Sequence, residues 1–233
     1  MQLYLFDVDG TLVSAKGAGR RAIGRALQEV YGATGPYESY DMRGKTDLQI
    51  VFDLMGAAGL PEHVVAERLN RFFGRYVETL EVELRDGVEL LPGIAELVRR
   101  LHESPDAVVG LLTGNIEAGA RVKLAPTGLL PYFKVGAYGS DDADRTKLPA
   151  VAARRAEALL GEAVHPRWVV VIGDTPLDIH CARVFGARAV AVATGQHGME
   201  ELAVHNPDAL FPDFSDVPRV LATLYDGARG ASE

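Results

Sequence analysis

With 233 residues, 48% of them hydrophobic and 24% charged, the chain has the composition of a packed globular protein, which excludes disordered, collagen-like and coiled-coil classes. A formal net charge of -8 is opposite to what a nucleic-acid backbone selects and points to a small-molecule partner. The longest apolar runs, WVVVIG and AVAVA, are too short to cross a bilayer, and acids stand near the amino terminus where a signal peptide is basic, so a cytoplasmic enzyme or binding protein is expected.

The first element is LYLFDV (3–8), a near-continuous apolar run of the kind that forms a strand buried on both faces of a parallel sheet. It leads into FDVDGT. Alternate residues of an extended chain share a face, so Asp7 and Asp9 address one pocket while Val8 points away. Gly10 permits a tight turn and close approach of a ligand, and Thr11 adds a hydroxyl. A calcium loop of the EF-hand type does not fit, because Leu12 stands where that loop needs Gly and Ala18 where it needs Glu.

From 14 to 86 the pattern is helical. Ala18, Ala22, Ile23, Ala26, Leu27 and Val30 recur at three- and four-residue intervals, as do Val65, Leu69, Phe72, Phe73, Tyr76 and Leu80. This predicts a helical subdomain, 14–86, inserted into a core made of 1–13 and 87–233. Within it the polar stretch MRGKTD (42–47) reads as a loop, and Arg43 and Lys45 are candidate contacts for a second anionic group of a ligand.

Further strands are predicted at 108–114, 134–139, 168–174 and 187–194, with helices near 92–102, 116–125, 148–160, 176–184 and 199–204. Their alternation gives an α/β fold with a doubly wound, mostly parallel sheet. LLTGN closes one strand with Thr113, Gly114 and Asn115, and VVVIGD closes another with Gly173 and Asp174. Ligands of such sheets lie outside the carboxyl ends of the strands, so these residues converge with Asp7 and Asp9 on one crevice. Several acids there imply a hard, oxygen-preferring divalent cation, and Mg2+ suits phosphate chemistry. TPLD (175–178) forms a capping box with Thr175 at N-cap and Asp178 at N3. The lone Cys181 reads as a small buried hydrophobe.

FDVDGTLV, LLTGN, the basic DRTKLP and IGDTPLD, in that order, resemble the four motifs of the haloacid dehalogenase superfamily, specifically its phosphatase branch, with phosphoglycolate phosphatases among the nearest relatives. The resemblance spans essentially the whole chain and implies a Rossmann-like core with a cap at 14–86. It also implies a Mg2+-dependent hydrolysis of a small phosphorylated metabolite through an aspartyl-phosphate. Asp7 is then the nucleophile, and Asp9 the acid and later the base, with its backbone carbonyl on the metal. Gly10, Thr11, Thr113, Gly114 and Asn115 hold the phosphoryl group, and Asp174 and Asp178 complete the metal shell.

The motif that supplies a cation departs from the usual Lys-Pro-x-Pro. Counting back from the following helix puts Arg145 in that place, with Lys147 second and Lys123 behind both. A dehalogenase has no need of acids at 9 and 174, whereas a phosphomutase of the β-phosphoglucomutase type shares every core residue. A non-enzymatic aspartyl-phosphate switch is disfavoured by a base at Asp9. The oligomeric state has no signature in the sequence.

Overall fold

The computed structural model describes residues 1–229. Its central sheet has six parallel strands, β1 (Gln2–Phe6), β4 (Ala107–Thr113), β5 (Val135–Tyr138), β6 (Val169–Gly173), β7 (Arg188–Val192) and β8 (Ala209–Phe211), in the order β5-β4-β1-β6-β7-β8. β1 is central, flanked by β4 and β6, and all five of its residues are buried. The sheet matches the doubly wound α/β fold expected from the sequence, with β8 added at one edge.

Alternation along the strands feeds two cores. Tyr4, Phe6, Val109, Leu111, Val170 and Ile172 face one side, against α4 (Ile94–Glu103) and α9 (Val217–Arg229). Leu3, Leu5, Val169 and Val171 face the other, against α6 (Leu148–Leu160) and α7 (Pro176–Phe185). The helices pack because their apolar residues recur at helical spacing, as Ile94, Leu97, Val98 and Leu101 do in α4, where all four are buried. Cys181 lies in the second core. α5 (Glu117–Leu124) follows β4, and the short α8 (Met199–Ala203) follows β7.

Between β1 and α4 the chain builds a separate three-helix unit from α1 (Ala18–Tyr31), α2 (Asp47–Ala57) and α3 (Glu62–Glu83). It has its own core, in which Ala22, Leu27, Val51, Leu54, Met55, Phe72, Tyr76 and Leu80 are buried. The aromatic stripe of α3 is part of this core: Phe72 stacks on Tyr76 with ring centroids 6.3 Å apart. The two chain crossings between sheet and helices are stitched by a short antiparallel pair, β2 (Val13–Ser14) with β3 (Glu89–Leu90). Among the described residues no helix is long and apolar enough to cross a membrane.

Candidate active site

The carboxyl ends of β1, β4 and β6 open on a cleft of about 860 Å³ beneath the three-helix unit. Asp7 follows β1 directly and its amide donates to the Ile172 carbonyl of β6 at 2.9 Å, which fixes the exit of the strand. The chain then turns within 8–13 through Leu12 and Val13 amides that both donate to the Val8 carbonyl. Gly10 sits at φ 81°, and a Cβ there would lie 2.3 Å from an Asp174 oxygen, so conformation and space both require glycine. The Thr194 hydroxyl donates to the Gly10 carbonyl at 2.6 Å and holds the turn from the β7 side.

Asp7, Asp174 and Asp178 each bring a carboxylate oxygen within 4.8 Å of the others, and all three residues are buried. Burial, with Asp178 and Asp9 adding repulsion against the opposing Arg145, pushes Asp7 up to about 7. Burial and the neighbouring Asp7 drive Asp174 well above the usual carboxylate range. The group is therefore short of positive charge. Its donor set is oxygen only, and that fits a hard divalent cation such as Mg2+.

Arg145 brings a guanidinium to this cluster: Nη2 donates to Asp7 Oδ1 at 3.1 Å and to Asp178 Oδ1 at 2.5 Å. Burial alone would lower its pKa, but the facing Asp178 and Asp7 carboxylates outweigh that and raise it. Asp178 serves two structures. Its Oδ2 accepts from the Thr175 amide and hydroxyl at 3.0 and 2.7 Å, completing the capping box of α7, while Oδ1 meets Arg145. Thr11 is buried and donates to Asp174 Oδ1 at 3.2 Å.

After β4 the Thr113 hydroxyl accepts from the Asn115 side chain at 2.8 Å, which leaves its own proton to donate. Gly114 is approached so closely that a Cβ would lie 2.1 Å from the Lys45 carbonyl. This contact belongs to a clasp between the helical unit and the strand ends. The Asp47 amide donates to Gly114 at 2.7 Å, Ile116 donates to Asp47 Oδ2 at 2.8 Å, and Thr46 donates to Ala143 at 2.7 Å. Asp47 is buried, and burial pushes its carboxyl up to about 6.

Other residues singled out in the sequence stand outside the three-acid cluster. Lys147, the second candidate cation, ends a one-turn 3₁₀ helix with its side chain 60% exposed, and it pairs with Asp142 at 3.1 Å rather than with Asp7. The Asp9 carboxylate is outside the three-acid cluster. Its Oδ2 accepts instead from Lys123 at 2.5 Å and Asn115 at 2.8 Å. Arg43 and Lys45 line the cleft. Arg43 is paired with Asp41, whose carboxyl its hydrogen bonds hold down at about 2, and Lys45 lies 3.9 Å above the Tyr40 ring.

Sequence reasoning passed over Asp47, Thr46 and Thr194. The TD pair of MRGKTD carries a helix-start signal, and Thr46 is indeed the N-cap of α2, accepting from the Gln49 amide at 3.1 Å. Nothing local marks its docking against residues 114–116.

Residues 1–186 match the family model of the haloacid dehalogenase-like hydrolases. The chain is 28% identical over 228 residues to a phosphoglycolate phosphatase of Synechococcus elongatus, covering 96% of this chain and 99% of that one. It is 28% identical over 218 residues to a phosphoglycolate phosphatase of Yersinia pseudotuberculosis, covering 91% and 89%. Among solved structures, a hydrolase from Pseudomonas syringae superposes with a TM-score of 0.71 at 20% identity, covering 95% of this chain and 98% of that one. CbbY from Rhodobacter sphaeroides, in complex with phosphate, superposes with a TM-score of 0.66 at 19% identity, covering 93% and 96%. These two share the fold. Four motif segments meet at one set of strand ends, and the family model spans most of the chain: the protein belongs to the haloacid dehalogenase-like hydrolases.

Proposed function

We propose that the protein is a Mg2+-dependent phosphatase that hydrolyses a small organic phosphomonoester, phosphoglycolate being the first to test, through an aspartyl-phosphate on Asp7. One observation carries the reading. A buried carboxylate at the end of the central strand stands between an arginine and two further acids, at the floor of a cleft a small ligand can enter.

In this mechanism an Asp7 oxygen attacks phosphorus and the bond to the leaving oxygen breaks, while Asp9 gives that oxygen its proton. Asp9 then takes a proton from water, whose oxygen attacks phosphorus and breaks the Asp7–phosphoryl bond, releasing inorganic phosphate. Asp7, Asp174 and Asp178 would hold the Mg2+, which when bound offsets the repulsion between carboxylate and substrate. Arg145 orients Asp7 through Oδ1 and offers its remaining donors to the phosphoryl oxygens. Thr113 and the 113–115 backbone donate to those oxygens as charge develops. The three-helix unit acts as a cap that excludes water and selects the leaving group. Similarity to phosphoglycolate phosphatases supports the substrate class. The lone, buried Cys181 fits the reducing cytoplasm to which we assign the enzyme.

The test is phosphate release from p-nitrophenyl phosphate and from a panel of phosphorylated metabolites including phosphoglycolate, with and without Mg2+. Asp7→Asn is run in parallel. Turnover that requires both Mg2+ and Asp7 is expected, and Asp7→Asn keeping more than a small fraction of turnover would overturn the covalent mechanism.

A further inference from the structure

We infer that Lys123 is the positioning residue of the leaving-group acid: it holds Asp9 through Oδ2 and leaves Oδ1 to carry the proton. The inference rests on the Asp9 role proposed above.

Lys123 lies in the last turn of α5 with its side chain 4% exposed, in a helix whose Arg121 stays 60% exposed. Its ammonium donates to Asp9 Oδ2 at 2.5 Å and to Asn115 Oδ1 at 2.6 Å, and Asn115 Nδ2 donates back to Asp9 Oδ2 at 2.8 Å. The three residues form a closed ring. Because Lys123 engages the Asn115 oxygen, the amide nitrogen is committed to Asp9 and to the Thr113 hydroxyl. The lysine thereby fixes two groups of the site that it does not itself replace.

The roof over this ring comes from the helical unit. Gly19 of α1 passes so close that a Cβ on it would stand 3.1 Å from Lys123 Nζ and 3.8 Å from the hydroxyl of Tyr76 in α3. That hydroxyl is buried and has no hydrogen-bond partner among the described residues. A lysine is costly to bury without an anion, and the low dielectric around the buried ammonium strengthens its hold on Asp9.

The experiment is a double-mutant cycle on Asp9 and Lys123, reading kcat and KM with an alkyl phosphomonoester substrate. Asp9→Asn is expected to lower kcat by on the order of 10²-fold or more. Lys123→Met is expected to lower kcat by on the order of 10²-fold with KM nearly unchanged, since a small misplacement of the reacting group suffices for such a loss. In the Asp9→Asn background Lys123→Met should then change kcat by less than about 2-fold, because its effect passes through Asp9. If the two losses multiply instead, or Lys123→Met alone keeps wild-type kcat, the inference falls while the proposed function stands. If Asp9→Asn keeps wild-type kcat, the Asp9 role falls and the inference with it. Should Lys123→Met not fold, Lys123→Gln, which retains a polar head without the charge, carries the same cycle and the same outcomes.

Discussion

Arg145 and Lys147 stand two residues apart and face opposite ways. The arginine side chain is 5% exposed between Asp7 and Asp178, and the lysine side chain is 60% exposed beside Asp142. Two cations in one motif thus have separate surroundings, and their removal should have separate consequences. Arg145→Ala is expected to lower kcat by on the order of 10²-fold or more, as loss of a preorganised donor to transferring oxygens does. Lys147→Ala should remain near wild type, since a single exposed ion pair contributes little. Steady-state kinetics of both variants, with circular dichroism to check folding, decides between them.

Asp174→Ala should weaken Mg2+ binding. Burial and Asp7 hold the Asp174 carboxyl well above its usual range, so a bound cation is what would keep it ionised. The half-saturating Mg2+ concentration in an activity titration is expected to rise by about 10–100-fold or more. In the wild type it should also be higher at pH 6 than at pH 8, because protons compete for Asp7, whose carboxyl burial pushes up to about 7.

Asp47 should make stability fall as pH rises. Burial lifts its folded-state value to about 6, above the unfolded value. The native state therefore binds the proton more tightly, and this contribution is complete below about pH 4 and lost as pH climbs through 6. Replacing the carboxyl with the neutral amide, Asp47→Asn, removes that dependence, worth on the order of 2 kcal/mol across the interval. Thermal denaturation from pH 4 to pH 8 should show a flatter profile for the variant than for the wild type.

Gly114→Ala should open the clasp. The added methyl would collide with the Lys45 carbonyl, a backbone atom that cannot swing aside, so residues 42–47 must lift and the Asp47–Gly114 and Asp47–Ile116 hydrogen bonds must lengthen. Hydrogen exchange at the Asp47 amide should accelerate, with protection in the sheet amides of β1 unchanged.

The parts of this structure readable in advance were those written in local periodicity. The strands around Leu5, Leu111 and Val171 and the helix from Leu148 to Leu160 fall within a residue or two of the expected spans. The capping box at Thr175 and Asp178 is also local and was legible. Ala209–Phe211 was not, because three residues between prolines carry no period. The pair Val13–Ser14 and Glu89–Leu90 is shorter still and defined only by long-range partners. Lys123 belongs to the same class. In EAGARVKL it stood only third among the candidate cations, because the partners that explain its burial, Asp9 and Asn115, are brought to it by the fold. Asp47 likewise reads as an acid in the first turn of a helix, while its burial comes from packing against β4's exit.

The pairing of Val13 with Leu90 and of Ser14 with Glu89 leaves the chain's departure from the sheet side by side with its return, about 5 Å apart. Everything from 15 to 88 is therefore a cassette. A two-residue hairpin turn would span the gap, and the six-stranded sheet would keep its order because none of its strands lies inside the excised piece. Replacing that one contiguous stretch of chain would leave Asp7, Asp174 and Asp178 on the strand ends and helix that carry them.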